Sequence, residues 1–173
     1  MRRSLSLFLF IYFSLITTPV LSSDQKITFL NLEAVLNQTN VGKIIVTKLN
    51  NLKISNNENF KQKSEDLKKK EKILITQKNK LSKEEFETNL ISLQKEIDVF
   101  NQNNNKSLLE YEKVKKKELD KFIKKITPLI ENYIAKNSIS IVINQKNIFI
   151  GNTNHDITKD IINYVNDNLK LNE

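Results

Sequence analysis

The chain has no cysteine, only two glycines and two prolines, and a single histidine in 173 residues. Without cysteine, disulfides, thiolate metal sites and cysteine nucleophiles are excluded. No glycine-rich loop is present that could hold a nucleotide. His155, beside Asp156 in a polar stretch, is either half of a catalytic or metal-binding pair or a solvated residue next to a helix-capping aspartate. We favour the solvated residue, and we expect neither enzyme activity nor a cofactor nor a bound metal.

Arginine is also scarce, since Arg2 and Arg3 are the only two in the chain. Every later cation is a lysine, which lacks the planar fork that binds phosphate or guanine through two hydrogen bonds. The formal net charge of +8 on its own would suggest nucleic acid as a partner. Because no arginine follows Arg3, we expect no specific nucleic-acid recognition, only salt-sensitive attraction.

Residues 1–22 have the order of a secretory signal peptide. The two arginines precede an apolar run at residues 5–16, and Val20 and Ser22 suit the −3 and −1 positions of a cleavage site. The run is about 12 residues long, shorter than the ~20 that cross a bilayer as a helix. We therefore predict export with cleavage near Ser22. A retained membrane anchor is the alternative, because Val20 and Leu21 could lengthen the run.

A long helical region follows. Residues 43–137 contain one proline and no glycine, and they are rich in Lys, Glu, Leu and Gln, which favour helix. Apolar residues recur every seven positions in interleaved series, which is typical of a coiled coil. The series are Phe60, Leu67, Leu74 and Leu81, then Phe86, Leu93, Phe100, Ser107 and Val114, with Leu90, Ile97, Asn104 and Tyr111. Polar Asn104 and Ser107 interrupt this seam, which either loosens the helix pair or sets its register.

The two halves of this region meet at residues 81–86. Ser82 followed by Glu85 is a capping box, in which each side chain pairs with the other residue's backbone N–H. A new helix is therefore predicted from Lys83, and a hairpin with its tip at residues 81–86 follows if the chain reverses there. The outgoing helix of about 38 residues would then be about 57 Å long at 1.5 Å per residue. A single continuous rod is the alternative.

Short strand-like and amphipathic segments lie on both sides of the helical region. We predict strands at 26–31, 139–143 and 148–150, helices at 32–37 and 158–169, and a turn at 39–42. The sequence thus predicts an α+β fold dominated by helix, in which a small β-strand body is interrupted by a coiled-coil hairpin. Its predicted parts are the signal peptide (1–22), the first body segment (23–42), the arm (43–127) and the second body segment (128–173).

Three segments are informative when they are taken in order. They are ITFLNLEAVL at 27–36 with the glycine and lysine at 42–43, LSKEE at 81–85, and IVIN at 141–144 followed by DIT at 156–158. Together they resemble the Skp/OmpH family of periplasmic chaperones. The resemblance implies a homotrimer in which three bodies join through their strands and three arms enclose a cavity for unfolded outer-membrane proteins. It implies a periplasmic location as well. An arginine-rich lipopolysaccharide site described for some members is not carried over, because the mature chain lacks arginine.

Charge is distributed unevenly along the mature chain. Residues 43–136 contain 22 Lys and 14 Asp or Glu, a net charge of +8, whereas the two ends contain 4 Lys and 6 Asp or Glu. Such arms would attract acidic unfolded chains or an anionic lipid surface through screened electrostatics. The densest lysines, our candidates for client contact, are Lys68, Lys69, Lys70, Lys72, Lys113, Lys115, Lys116 and Lys117. The alternative is that they only keep an exposed coiled coil soluble.

A body of about 60 residues is close to the lower limit for independent folding, so association would stabilise it. Our candidates for the trimer interface are Ile27, Phe29, Ile141, Ile143 and Phe149, and each could instead belong to the core of its own chain. The predicted function is that of an ATP-independent holding chaperone for unfolded outer-membrane proteins. An exported coiled-coil spacer or adaptor of the cell envelope is the alternative.

Overall fold

The computed structural model describes residues 25–169, so the predicted signal peptide lies outside the described residues. The elements in chain order are β1 (Lys26–Leu30), α1 (Leu32–Gln38), α2 (Asn40–Gln77), α3 (Lys83–Lys136), β2 (Ile139–Asn144) and α4 (Thr158–Asn168). Two short 3-10 turns, Gln145–Asn147 and Thr153–His155, lie between β2 and α4. The predicted α+β fold, dominated by helix and carrying a long helical hairpin, is confirmed.

The hairpin reverses between α2 and α3 through the predicted capping box. The Ser82 hydroxyl oxygen accepts a hydrogen bond from the Glu85 backbone N–H at 3.2 Å. The Glu85 carboxylate in turn accepts from the Ser82 backbone N–H at 3.0 Å and from the Ser82 hydroxyl at 2.8 Å. The hydroxyl and then the backbone hydrogen bond lower the pKa of Glu85 below its usual value. Because α3 begins at this capping box and packs against α2, the arm is a hairpin rather than a continuous rod.

The sheet joins the two ends of the chain. β1 and β2 pair in parallel, with Ile27 opposite Ile141 and Phe29 opposite Ile143. Parallel strands need a long crossover connection, and here the connection is the whole helical hairpin. The arm is therefore an insertion between two strands that lie side by side.

The predicted third strand at residues 148–150 is wrong, because the sheet of the described chain has two strands. One edge of β1 holds β2. At the other edge the Ile157 backbone N–H donates to the Phe29 carbonyl at 3.0 Å, next to an isolated bridge between Phe29 and Asp156. This contact occupies part of the second edge of β1, and residues 148–150 do not pair with the open edge of β2 either. The segment instead forms a loop on which Phe149 is 98% exposed.

The core of the body packs α1, the roots of α2 and α3, and α4 against the sheet. Its most deeply buried members are Val35, Phe122, Ile126, Ile161 and Val165. The core also includes residues from both ends of the predicted arm (43–127). These are Ile45, Leu49, Phe122 and Ile126, with Val114 packed against them. α3 continues through Pro128 to Lys136, so the same helix forms one side of the arm and one wall of the body.

The turn predicted at residues 39–42 is reduced to Thr39 alone. α2 begins at Asn40, so Gly42 lies inside its first turn and is buried. The Thr39 hydroxyl accepts from the Gly42 N–H at 3.2 Å and donates to the Val35 carbonyl at 2.8 Å, which caps α2 and ends α1. A Cβ atom on Gly42 would lie 1.8 Å from the Leu36 carbonyl oxygen. Glycine is required here for the close approach of two helices, which the sequence pattern does not reveal.

Candidate functional site

The outer part of the arm is closed by an apolar cluster. Leu67, Leu74 and Leu93 are buried between α2 and α3, and Leu81, Phe86, Ile97 and Phe100 pack against them. The rings of Phe60 and Phe100 stack with centroids 5.0 Å apart. The predicted coiled-coil seam is thus present over most of the outer arm. It is wrong at Leu90, whose side chain is 49% exposed.

Between this outer cluster and the body the seam is polar and open. A groove of about 670 Å³ runs beside it. A second depression of about 500 Å³ shares with this groove Asn56 and the seam residues Phe60, Asn104 and Ser107. At Asn104 and Ser107 a regular coiled coil would place apolar residues that fill the space between the helices. Because asparagine and serine leave that space unfilled, the arm has a polar middle between two apolar ends. We call the larger depression the arm groove.

Two ion pairs connect α2 to α3. The Lys48 ammonium lies 2.7 Å from a Glu118 carboxylate oxygen near the body, and the Lys70 ammonium lies 2.6 Å from Glu96 in the outer arm. The hydrogen bond from Lys48 lowers the pKa of Glu118, against the opposing effect of desolvation. The hydrogen bond from Lys70 lowers the pKa of Glu96 in the same way. These pairs hold the helices in register on either side of the open middle.

Acidification is expected to weaken the arm at the Lys48–Glu118 pair. Because the folded pKa of Glu118 lies below an unfolded value of about 4.3, its carboxylate stabilises the fold above that pH. This stabilisation is lost as the pH falls through the folded pKa. The parent should exceed Glu118→Gln in free energy of unfolding by under about 1 kcal/mol at about pH 7, and this difference should be smaller at about pH 3. Urea unfolding followed by circular dichroism measures both differences.

The control for this prediction is Glu131→Gln, which removes an exposed carboxylate for which residues 25–169 provide no ion-pair partner. Its free energy of unfolding should stay within about 0.5 kcal/mol of the parent at both pH values. An equal pH response of the two variants would contradict a role for the Lys48–Glu118 pair.

The predicted client-contact lysines all lie on the arm, but they do not form one continuous patch. Lys113 and Lys115 have acidic neighbours one helical turn away, at 4.0 and 3.5 Å, and Lys69 lies 4.0 Å from Asp66. Lys70 is the partner of Glu96. Among residues 25–169, the four candidates without an ion pair are Lys68, Lys72, Lys116 and Lys117.

The two lysine clusters also lie at different heights on the arm. Lys70 marks the outer cluster because it contacts Glu96, whereas Lys115 lies 19 positions further along α3. At 1.5 Å per residue the clusters are about 28 Å apart. Their positive charge is therefore spread along the arm, and half of it is partly neutralised by the arm's own carboxylates.

Four of the five interface candidates project from one region of the body. Ile27, Ile141 and Ile143 are neighbours in the parallel register and are 44%, 47% and 36% exposed, and Phe149 stands out from the adjoining loop. We call these four residues the apolar sheet face. Phe29 lies opposite Ile143 on the same side of the sheet, but its ring is buried beside Gly151 of its own chain. It therefore adds no exposed surface to this face.

His155 has a structural contact. Its Nδ1 atom lies 2.8 Å from the Ile27 carbonyl oxygen, which ties the loop before α4 to β1. Asp156 accepts a hydrogen bond from the Thr158 N–H at 2.9 Å at the start of α4. Within residues 25–169, no three His, Asp or Glu side chains gather as a metal site would require. Over that same range, no helix combines the length and apolar character of a membrane span.

The family model described as outer membrane protein (OmpH-like) matches residues 26–165 of the chain. The chain belongs to the OmpH-like family. A search among curated proteins found no match. The fold of this OmpH-like chain is similar to the crystal structure of an OmpH-like protein from Caulobacter crescentus CB15, provisionally described as an outer membrane chaperone. The TM-score is 0.73 at 15% identity, over 86% of this chain and 88% of the other.

Sequence reasoning missed two features of this OmpH-like arm. The residues that line the arm groove beyond the seam, such as Asn59 and Asn103, were not identified, although a run of polar seam positions could have suggested an opening. The Lys48–Glu118 pair was also missed. Its partners are separated by a hairpin whose exact register is set by side-chain packing, so no local pattern connects them.

Proposed function

We propose that this OmpH-like chain is an ATP-independent holding chaperone that binds unfolded outer-membrane proteins and prevents their aggregation. The observation that carries the proposal is the family match over residues 26–165, together with the long two-helix arm on a small body. The provisional description of the Caulobacter protein points in the same direction. No enzymatic step is part of the proposal.

We propose further that the working unit is a homotrimer formed through the apolar sheet face. A two-stranded sheet is marginal by itself, and exposed clusters of large apolar residues mark association surfaces. Ile27, Ile141, Ile143 and Phe149 supply such a cluster. The outer edge of β2 has no strand partner in the described residues, and pairing or covering that edge would remove an aggregation-prone surface.

In this proposal a client is held by many weak contacts with the arms. Lysines spread over the arms attract acidic stretches of an unfolded chain, and the attraction is screened by salt. The same charge favours contact with an anionic lipid surface. Because many weak contacts can break one at a time, a client can leave to fold without nucleotide hydrolysis. Residues 1–22 would direct the chain to the periplasm, with cleavage near Ser22.

The test is the light-scattering mass of the mature chain before and after a urea-unfolded outer-membrane β-barrel is diluted into it. The proposal predicts a particle with the mass of three chains that gains the mass of one barrel while turbidity stays low. A particle of unchanged mass beside a precipitating barrel would overturn it and favour the envelope spacer or adaptor. Bovine serum albumin at equal mass concentration controls for unspecific crowding.

A further inference from the structure

The arm groove has an unusual chemical lining. Five of its side chains are carboxamides, two are the stacked rings, and the charged ones are of both signs. The residues are Asn56, Asn59, Gln62, Asn103 and Asn104, then Phe60 and Phe100, then Lys63, Lys95, Asp66 and Glu96. A groove for an anionic lipid headgroup or a nucleic acid would need an excess of cations. The lining instead combines balanced charge, hydrogen-bonding amides and two aromatic rings.

The five carboxamides are free to bind a ligand. Some polar side chains on α3 are paired, such as Gln94 with Asp98 at 3.1 Å, whereas others, such as Asn101 and Asn105, are as unpaired as the five. The five differ from these in lining one groove. In the described part of the chain, none of the five carboxamides makes a hydrogen bond to another protein group. Each carries a carbonyl acceptor and an N–H donor, the same pair of groups that every peptide unit offers.

The dimensions of the groove suit an extended segment. Its wall on α3 runs from Ser92 to Ser107, about 22 Å at 1.5 Å per residue. An extended polypeptide of six or seven residues covers about that length at 3.3 Å per residue. One apolar side chain of such a segment would face the stacked Phe60 and Phe100 rings, and Val99, which is 54% exposed, adds apolar surface on the same wall.

We propose that the arm groove is a binding site for an extended segment of an unfolded polypeptide, held between the two helices of one arm. The carboxamides pair with its backbone, and the phenylalanine rings take one of its apolar side chains. Backbone pairing does not depend on sequence, so the site accepts many clients. The inference rests on the holding function proposed above and adds to it a defined contact within each arm.

The experiment uses the mature trimer and a site-specific label. Because the chain has no cysteine, Val99→Cys gives one attachment point in the groove and Ile91→Cys gives one on exposed α3 surface outside it. Each variant carries an environment-sensitive fluorophore. The probes are a urea-unfolded outer-membrane barrel and a synthetic peptide of about eight residues that alternates valine with threonine between terminal lysines. The Val99 label should respond to both probes in a saturable manner, and the Ile91 label should not.

Two double variants separate the groove from the rest of the arm. Asn59→Ala with Asn103→Ala removes two groove carboxamides without touching the seam, and Asn101→Ala with Asn105→Ala removes two exposed ones outside it. The groove variant should bind the peptide about tenfold more weakly, as expected for the loss of two to four hydrogen bonds, and the control should match the parent.

The outcomes distinguish the site from the holding function. If the parent keeps the barrel soluble while the Val99 label is silent, or if both double variants bind the peptide equally, the arm groove is not a polypeptide site and the holding function stands. If the barrel precipitates in the presence of the parent, the holding function fails. Saturable peptide binding at the Val99 label would then still identify the groove as a polypeptide site.

Discussion

Gly42→Ala is expected to lower the free energy of unfolding by at least about 2 kcal/mol, although alanine is the better helix former. In an ordinary helix this exchange stabilises by up to about 1 kcal/mol. Here the new Cβ would lie 1.8 Å from the Leu36 carbonyl oxygen and 2.8 Å from the Thr39 hydroxyl, so α1 and α2 must separate. Overpacking of this kind costs about 1 to 3 kcal/mol, and the displaced group is backbone that cannot rotate away.

Urea unfolding measures this effect, at a fixed protomer concentration so that the proposed association would contribute equally to both proteins. Lys43→Ala is the matched control, since it changes the next residue of the same helix at an exposed position. It should remain within about 0.5 kcal/mol of the parent. A more stable Gly42→Ala protein would mean that the junction between α1 and α2 tolerates a side chain and that the close approach is not needed.

Ile141→Asp is expected to reduce the light-scattering mass of the mature chain from three protomers to one and to abolish retention of the unfolded barrel. In the proposed trimer the new carboxylates would be buried without partners, which costs several kcal/mol for each charge. Within its own protomer Ile141 is 47% exposed, so the helical content should persist. Circular dichroism verifies that the variant is folded.

Ser140→Asp controls for added charge on the same strand, at an exposed position that the register shift leaves without a partner in β1. It should retain the mass of the parent. Phe149→Ser gives an independent test, because a side chain that is 98% exposed contributes nothing to its own core and its loss should weaken association alone. If both Ile141→Asp and Phe149→Ser kept the mass of the parent, the apolar sheet face would not be the subunit interface.

The parts of the fold that were predictable from the sequence are those set by local chemistry. The hairpin tip follows from Ser82 and Glu85, whose mutual hydrogen bonds need only four consecutive residues. The outer seam follows from the heptad spacing of Leu67 and Leu74, which places both on one helix face. The family followed from the order of such segments and is confirmed by the match over residues 26–165.

The parts that were not predictable depend on what approaches from elsewhere in the chain. Gly42 indicated a turn, yet its role is set by the Leu36 carbonyl across a helix junction. The segment at 148–150 has strand composition but pairs neither with β1 nor with the open edge of β2. Leu90 fits the heptad pattern but lies outside the packed seam. The arm groove exists because side chains there do not fill the space between α2 and α3. Its size and lining depend on how these two helices are placed relative to each other.

The parallel pairing of β1 with β2 has a consequence for how the molecule folds. Thr28 and Ile141 are 113 residues apart in the chain, so β1 emerges first during synthesis and has no strand partner until the whole arm has followed. Closing so long a flexible loop is slow. The hairpin, however, forms from contacts between neighbouring turns, and its completion brings the roots of α2 and α3 together. We therefore expect α2 and α3 to pair before the sheet forms. Pairing of these two helices is then the step that brings β2 next to β1.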